Sequence, residues 1–181
     1  MRWLVYIIMV AVLTACTSTR SLSRKFSEKP EVIGEQFAGS SYANTPIDTT
    51  GRYGRVSLWR KLAPYRSVKD SLPEIAANAH IRLSLEDNKT LKVTASENQQ
   101  AVAIFEIPVR RRGEYLILEN KTRIIPIPFI YFSVKENKTI LVLLKNNRIG
   151  IYDYDDESLW ILFFGASNTA AAIYEYEPIT P

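Results

Sequence analysis

The sequence predicts a mainly β domain, an antiparallel meander of about eight or nine strands with one or two short helices near its N-terminal end. From residue 79 onward, apolar and polar residues alternate with a period of two, which is the spacing of half-buried strands. Short polar segments separate these runs, and short connections favour antiparallel neighbours because parallel pairs need long crossovers. The ten tyrosines add to the preference for strands.

The first sixteen residues contain the only cysteine of the chain. Arg2 gives a positive start, an apolar run over 3–13 follows, and the run ends in Leu13-Thr14-Ala15-Cys16. Such a run is typical of a secretory signal and is too short for a transmembrane helix, which needs roughly 20 apolar residues. The motif resembles the lipobox of bacterial lipoproteins. This resemblance implies that residues 1–15 are a signal peptide and that Cys16 is lipidated and becomes the new N-terminus.

The same resemblance implies a location. The residue after the cysteine is Thr17 rather than an aspartate, which resembles the outer-membrane sorting pattern of proteobacterial lipoproteins. We therefore expect a protein of the cell envelope, held in the outer membrane by N-terminal acyl chains and facing the periplasm. Residues 16–36 are polar and have no period, so we expect them to form a lipid-anchored flexible tether. The folded domain is predicted over 37–181, with a short first strand near 37–46.

A short helix is predicted over 56–62. Ser57 suits the N-cap, and Pro64 ends the helical pattern. A helix of this length is marginal alone and must lie against an apolar surface. A second helical turn is predicted over 72–78. The apolar face of the first helix consists of Leu58, Trp59 and Leu62.

The strands follow from the alternation. A hairpin turn at Asp87-Asn88-Lys89 joins the first two of them. The predicted strands are 80–86, 90–96, 101–109, 114–120, 123–134, 139–145, 147–154, 158–165 and 170–177.

Asn-Lys-Thr occurs three times, at 88–90, 120–122 and 137–139. Each fits a glycosylation acceptor, but we interpret all three as hairpin turns, because Asn tolerates the left-handed backbone of turns. The acidic run 153–157 is likewise interpreted as a solvated turn. It lacks the glycine and the spacing of a calcium-binding loop.

Two segments are apolar on both faces. Residues 124–132 contain Pro126 and Pro128, which predicts an edge strand, a bulged strand or an apolar loop. Residues 159–164 are therefore predicted to form a strand that is buried on both faces or that the short helix covers on one face. Because closing a meander removes its edges, we expect a lipocalin-like barrel or half-barrel, with a two-sheet sandwich as the alternative.

The inventory of reactive groups is small. His80 is the only histidine, and lipidation would consume the cysteine, so ordinary zinc sites and histidine-bearing triads are not expected. No Gly-rich phosphate loop and no Gly-x-Ser-x-Gly elbow are present. The net charge of +4 is too small, and too evenly spread, to indicate nucleic acid. We predict no catalytic residues, no metal and no cofactor.

Aromatic residues give the best candidates for a binding surface. Tyr152 and Tyr154 alternate on one strand, Tyr174 and Tyr176 alternate on another, and the two pairs are predicted to face each other. Tyrosine at exposed strand positions is common in binding faces, although it is also simply a good strand residue. Trp59 and Trp160 complete the candidate surface.

The cluster Arg110-Arg111-Arg112 is interpreted as a charged hairpin tip, with contact to anionic lipid or lipopolysaccharide phosphates as the functional alternative. For the whole protein the sequence favours a non-enzymatic function, which is binding of an apolar ligand or of an envelope component. The alternative is a structural or accessory subunit of an envelope protein complex.

Overall fold

The chain folds into two antiparallel sheets, of four and six strands. The computed structural model describes residues 26–33, 39–50, 54–127, 131–161 and 164–179. The predicted signal peptide, the lipobox and Cys16 lie outside the described residues. The mainly β fold and the antiparallel pairing are confirmed.

The smaller sheet has the order β1-β3-β4-β5 and the larger one the order β2-β10-β9-β8-β7-β6. One α-helix, α1 (Leu58–Leu62), continues into a 3₁₀ turn, Ala63–Tyr65, and a second 3₁₀ turn is Lys145–Asn147. The strands are β1 (Ser40–Ala43), β2 (Asp48–Thr50), β3 (His80–Glu86), β4 (Thr90–Glu97), β5 (Gln100–Pro108), β6 (Arg110–Arg112), β7 (Tyr115–Ile127), β8 (Tyr131–Leu143), β9 (Ile149–Ile161) and β10 (Phe164–Tyr176).

The described strands do not close into a barrel. The half-barrel and the two-sheet sandwich that the sequence also allowed stay predictions. The meander breaks between β5 and β6. β5 pairs with β4 in the smaller sheet, whereas β6 pairs with β7 in the larger one. Only Val109 separates β5 from β6, and its side chain is buried in the core that both sheets share. One inward-pointing residue is thus enough to pass the chain from one sheet to the other.

The short helix is confirmed, and Ser57 is its N-cap, since its Oγ accepts a hydrogen bond from the Arg60 N–H at 3.4 Å. Its apolar face is buried in the shared core. The Trp59 ring packs against Phe105 of β5, with 4.7 Å between the ring centroids. Leu159 remains 39% exposed, so α1 does not cover it as one of our two predictions required. No helix forms over 72–78.

Strands β7 to β10 are much longer than predicted. Two of the three Asn-Lys-Thr segments lie inside strands, where Lys121 pairs with Asn137 and Asn120 with Lys138. The acidic run 153–157 likewise lies inside β9. Only the first Asn-Lys-Thr belongs to a hairpin turn, in which Asp87 and Asn88 have φ of 49° and 54°. The polar character of these segments predicts turns, but in the structure the segments lie within the long strands of the larger sheet.

Residues 26–33 lie within the predicted tether, but they pack on the β-domain. Phe26 and Ile33 are buried, and the Glu31 N–H donates to the Leu143 carbonyl at 2.8 Å. Ser27 adds two hydrogen bonds to the Glu175 carboxylate, at 3.0 Å from its N–H and 2.6 Å from its hydroxyl. The domain therefore includes a segment that precedes residue 37.

Candidate functional site

Strands β7 to β10 extend beyond the core as a four-stranded sheet. We call this part the distal segment, and it comprises residues 119–127, 131–138, 153–161 and 164–171. None of its described side chains is buried, in contrast to the other halves of the same strands. A sheet without a core on either face is stabilised mainly by its ladders and cross-strand pairs.

The strand register gives the distal segment two defined faces. Glu119, Thr139 and Asp153 pair side by side and share the face that carries α1, which we call the helix-side face. The next row on this face contains Lys121, and the whole middle of the segment is polar. Apolar side chains return toward the far end, where the exposed fractions are 64% for Ile124, 45% for Ile125 and 39% for Leu159.

A cavity of about 310 Å³ lies where α1 and its 3₁₀ turn meet the helix-side face. We call it the helix pocket. Its lining combines charged, hydroxyl and aromatic side chains from the helix and from all four long strands. The lining residues are Val56, Lys61, Tyr65, Glu119, Asn137, Thr139, Asp153, Tyr154, Asp155, Ala170 and Tyr174.

A chain of four polar side chains crosses the helix pocket. Thr139 Oγ1 donates to Asp153 Oδ1 at 2.8 Å. Because threonine has one hydroxyl hydrogen, the Tyr65 hydroxyl must be the donor in its 2.7 Å contact with Thr139 Oγ1. Lys61 Nζ forms an ion pair with Asp153 and lies 4.6 Å from the centroid of the Tyr174 ring. These contacts tie α1 to β8, β9 and β10.

Burial sets the electrostatics of this chain. It lowers the pKa of Lys61 to about 8, so the ammonium is still the main form at neutral pH. The Asp153 carboxylate and the Tyr174 ring both favour that charged form. Burial also raises the pKa of Tyr65, which the hydrogen bond with Thr139 partly offsets. The charges of Lys61 and Asp153 balance within the pocket. The four connected side chains are therefore suited to holding α1 in place on the sheet.

One carboxylate of the helix pocket has no such balance. Lys61 pairs with Asp153, and Lys121 pairs with Glu119 at 2.8 Å. Among the described residues, Asp155 forms no ion pair, and its Oδ1 atom is buried without a hydrogen-bond partner. The pocket thus presents one negative charge that nothing in the described chain neutralises.

The two predicted tyrosine pairs do not face each other. Ile151 of β9 pairs with Tyr174 of β10, whereas Tyr152 pairs with Ile173, so Tyr152 and Tyr174 project from opposite faces of the same sheet. Tyr152, Tyr174 and Tyr176 are at most 1% exposed. They fill two separate cores rather than forming one surface.

The remaining candidates from the sequence are dispersed. Tyr154 is half-buried and lines the helix pocket, and Trp59 is buried in the core. The side chain of Trp160 lies outside the described residues. No sequence pattern indicates Lys61 as a site residue, because the pocket combines residues from a helix and four strands that no local motif connects.

Arg110, Arg111 and Arg112 form the edge strand β6, and the turn that follows them contains Gly113 at φ 61°. All three arginines are exposed, and Arg111 donates to Asn88 Oδ1 at 2.9 Å. His80 is exposed at the start of β3.

Within the described ranges, no group of three or more His, Cys, Asp or Glu residues has the arrangement of a metal site. No helix in the same part of the chain combines the length and apolarity that a bilayer crossing requires. Comparisons of the chain with protein-family models, with curated proteins and with solved structures find no match.

Proposed function

We propose that this protein is a non-enzymatic, lipid-anchored lipoprotein of the bacterial cell envelope that binds another envelope protein through the far end of its distal segment. Lipid anchoring at Cys16 rests on the lipobox resemblance of Leu13-Thr14-Ala15-Cys16. The binding part rests on one structural observation, which is that the far end of a sheet without a core exposes Ile124, Ile125 and Leu159.

These three apolar side chains have no structural role in the described core, and exposing them to water costs free energy. Burying apolar surface gains about 25 cal/mol per Å². Ile125 and Leu159 share the helix-side face through Ser133 of β8, and Ile124 lies on the opposite face. An end that is apolar on both faces fits a groove or a gap between two partner surfaces better than a flat surface.

The position of Phe26 favours a protein partner over the anchoring leaflet. Phe26 lies against Gly150 at the near end of β9, and Ile161 at the far end of that strand is ~36 Å away along the strand. The residues from Cys16 to Phe26 span at most ~35 Å even when fully extended. If the strands stand perpendicular to the membrane with the apolar end toward it, that end reaches the anchoring leaflet only when the linker from Cys16 to Phe26 is fully extended.

The polar lining of the helix pocket supports an envelope component, rather than a small apolar molecule, as the ligand. An apolar ligand in this pocket would have to displace water from Lys61, Glu119 and Asp155 without replacing their hydrogen bonds. An accessory subunit of an envelope complex would use the same apolar end. We further propose that the two sheets pack face to face as a sandwich around their shared core.

The anchor is tested with Cys16→Ser in the native host. We expect this variant to lose incorporation of labelled palmitate and to leave the membrane fraction, while the parent protein keeps both. Unchanged labelling and fractionation would refute the anchoring part of the proposal.

The binding part is tested with a photo-crosslinking amino acid at position 125 in cells. We expect one discrete protein adduct there, and none from the same amino acid at Ile104, which is 54% exposed on the smaller sheet. Ile125→Asp combined with Leu159→Asp should abolish an adduct formed from a crosslinker at position 124. Equal adducts from positions 125 and 104 would contradict a specific site.

A further inference from the structure

Within the described part of the chain, the outer edge of β10 is unpaired over much of its length. On the inner side, β9 pairs with the whole strand from Phe164 to Tyr176. On the outer side, β2 pairs only with Ile173–Glu175, and no other strand of the described residues takes this edge over 164–172. Residues 165–169 are all exposed. We call 164–172 the open edge, because no strand of the described residues pairs with it on this side.

The open edge lacks the features that protect exposed strands. Charged residues and proline on an edge discourage pairing with a further strand. The sequence over 164–172 is FGASNTAAA and contains neither. The opposite edge of the distal segment, on β7, carries Lys121, Arg123 and Pro126. Of these two edges of one sheet, only the one on β10 is suited to pairing.

The backbone groups that a new strand would use can be assigned. On the outer side of β10, the Glu175 carbonyl accepts a hydrogen bond from the Ile47 N–H at 2.8 Å. In an antiparallel ladder the N–H and C=O of one residue point to the same side, and the side alternates along the strand. Residues 165, 167, 169 and 171 therefore present their N–H and C=O groups outward.

The helix pocket borders this edge. Ala170 lines the pocket and pairs with Asp155 of β9. A side chain of an added strand opposite Ala170 would lie on the same face as both residues. Two strand spacings, ~9.6 Å, separate that position from Asp155. A lysine or arginine side chain reaches across the small methyl group of Ala170 and meets the aspartate.

We propose that the open edge binds an extended peptide segment of another protein as an added strand, and that a lysine or arginine of that segment enters the helix pocket and pairs with Asp155. Asp155 is the pocket carboxylate that lacks an ion pair in the described chain, so the charge of the pocket selects a basic side chain. Main-chain hydrogen bonds to an edge supply affinity, and a side-chain pocket supplies specificity. This site is separate from the apolar end and does not depend on lipidation.

The test uses defined peptides and the full-length protein in detergent. The probe is a peptide of about nine residues, a length that matches the open edge, with alternating valine and threonine and a central lysine. The matched control has methionine in place of lysine. By fluorescence anisotropy we expect the lysine peptide to bind about tenfold more tightly than the methionine peptide. Asp155→Asn should remove this difference while both peptides still bind.

The edge itself is tested with Ser167→Pro, which removes an outward N–H and should abolish binding of both peptides. Ser167→Ala keeps that N–H and should bind as the parent does. Circular dichroism shows whether the proline variant folds. If it does not fold, a lysine peptide methylated on alternate amide nitrogens is tested against the parent protein instead. This peptide should not bind in the register that presents the methylated amides to the open edge.

Any one of three binding results would overturn the proposal. They are no saturable binding of the lysine peptide, equal affinities of the lysine and methionine peptides, and a difference that persists in Asp155→Asn. A dimer of the parent protein that dissociates in Ser167→Pro would instead assign the open edge to a second copy of this chain, which also overturns it.

Discussion

At the scale of single residues, the ion pair between Lys61 and Asp153 is the most consequential contact. Its side chains are 14% and 22% exposed, so both charges have lost most of their hydration. A buried pair is weak evidence for stability as a whole, but removal of one partner leaves an uncompensated charge.

We therefore predict that Lys61→Met lowers the free energy of unfolding by about 3 kcal/mol. The double variant Lys61→Met with Asp153→Leu should lose less than the single variant, because it leaves no stranded carboxylate. Urea denaturation of the parent, both single variants and the double variant measures this cycle. Additive losses would show that the two side chains do not interact.

Buried tyrosines predict a loss of stability at alkaline pH. Burial raises the pKa of Tyr42 to about 12 and also raises that of Tyr176, whose hydroxyl donates to the Val56 carbonyl at 2.9 Å. In the unfolded chain a tyrosine ionises near pH 10, so above that pH the folded state holds more protons and the free energy of unfolding falls. The contribution is fully present below pH 10, where both states are neutral.

We expect each such tyrosine to contribute a slope of about 1.4 kcal/mol per pH unit between its unfolded and folded pKa values. Denaturation midpoints between about pH 10 and pH 12 measure the slope. Tyr42→Phe should lower the slope in this window by the contribution of one residue. If the slope of the variant equals that of the parent, Tyr42 is not the group responsible.

At the scale of elements, the contact between Phe26 and Gly150 holds the N-terminal segment on the sheet. A Cβ added to Gly150 would lie 2.7 Å from Cε1 and 2.8 Å from Cδ1 of the Phe26 ring. Real Cβ atoms do not approach a ring so closely, so the ring would have to move.

Gly150→Ala is predicted to release residues 26–33 and to destabilise the protein by about 1–3 kcal/mol through overpacking. Hydrogen exchange of the Glu31 amide, which donates to the Leu143 carbonyl, reports the release directly. In the Phe26→Ala background, Gly150→Ala should lower the free energy of unfolding much less, because the ring that the added methyl group would meet is absent. A full additional cost there would place the clash somewhere other than the ring.

The elements that sequence reasoning predicted well are those with a core beneath them. The alternation over 80–86 and 90–96 matched β3 and β4 because one face of each strand is buried. For the long strands of the larger sheet, the sequence instead predicts turns at 120–122, 137–139 and 153–157, so each of these strands is predicted as shorter pieces. Apart from Thr139, none of the described side chains in these stretches is buried, so the periodic signal on which the prediction depends is missing.

The candidate site was less accessible to sequence reasoning than the fold. The pocket residues Lys61, Thr139 and Asp155 become neighbours only through the strand register and the docking of α1. Alternating tyrosines predict that the two side chains of each pair share one face of their strand, but alternation does not tell which face is buried. The structure places Tyr152 and Tyr174 in different cores.

At the scale of the whole molecule, the distal segment should be the least protected part of the larger sheet. None of its described side chains is fully buried, whereas residues 139–144 are all buried. Local opening is easiest where few apolar contacts hold the structure together.

We predict that amides of 121–125 exchange orders of magnitude faster than those of 140–143 on the neighbouring strand. Hydrogen–deuterium exchange with mass spectrometry compares the two peptides in one experiment. Similar protection of both would mean that the larger sheet unfolds as one unit. Slower exchange of 121–125 when the lysine peptide is added would agree with strand addition on the same sheet.

Two segments from the early part of the described chain, Ser27 and β2, contact β10. Ser27 contacts Glu175 across 148 positions of sequence, and β2 pairs with Ile173–Glu175 as well. Because synthesis proceeds from the N-terminal side, Ser27 and β2 make these contacts only after β10 has been synthesised. Until then β2 has no strand to pair with among the described residues, whereas Phe26 can already pack against Gly150 of β9.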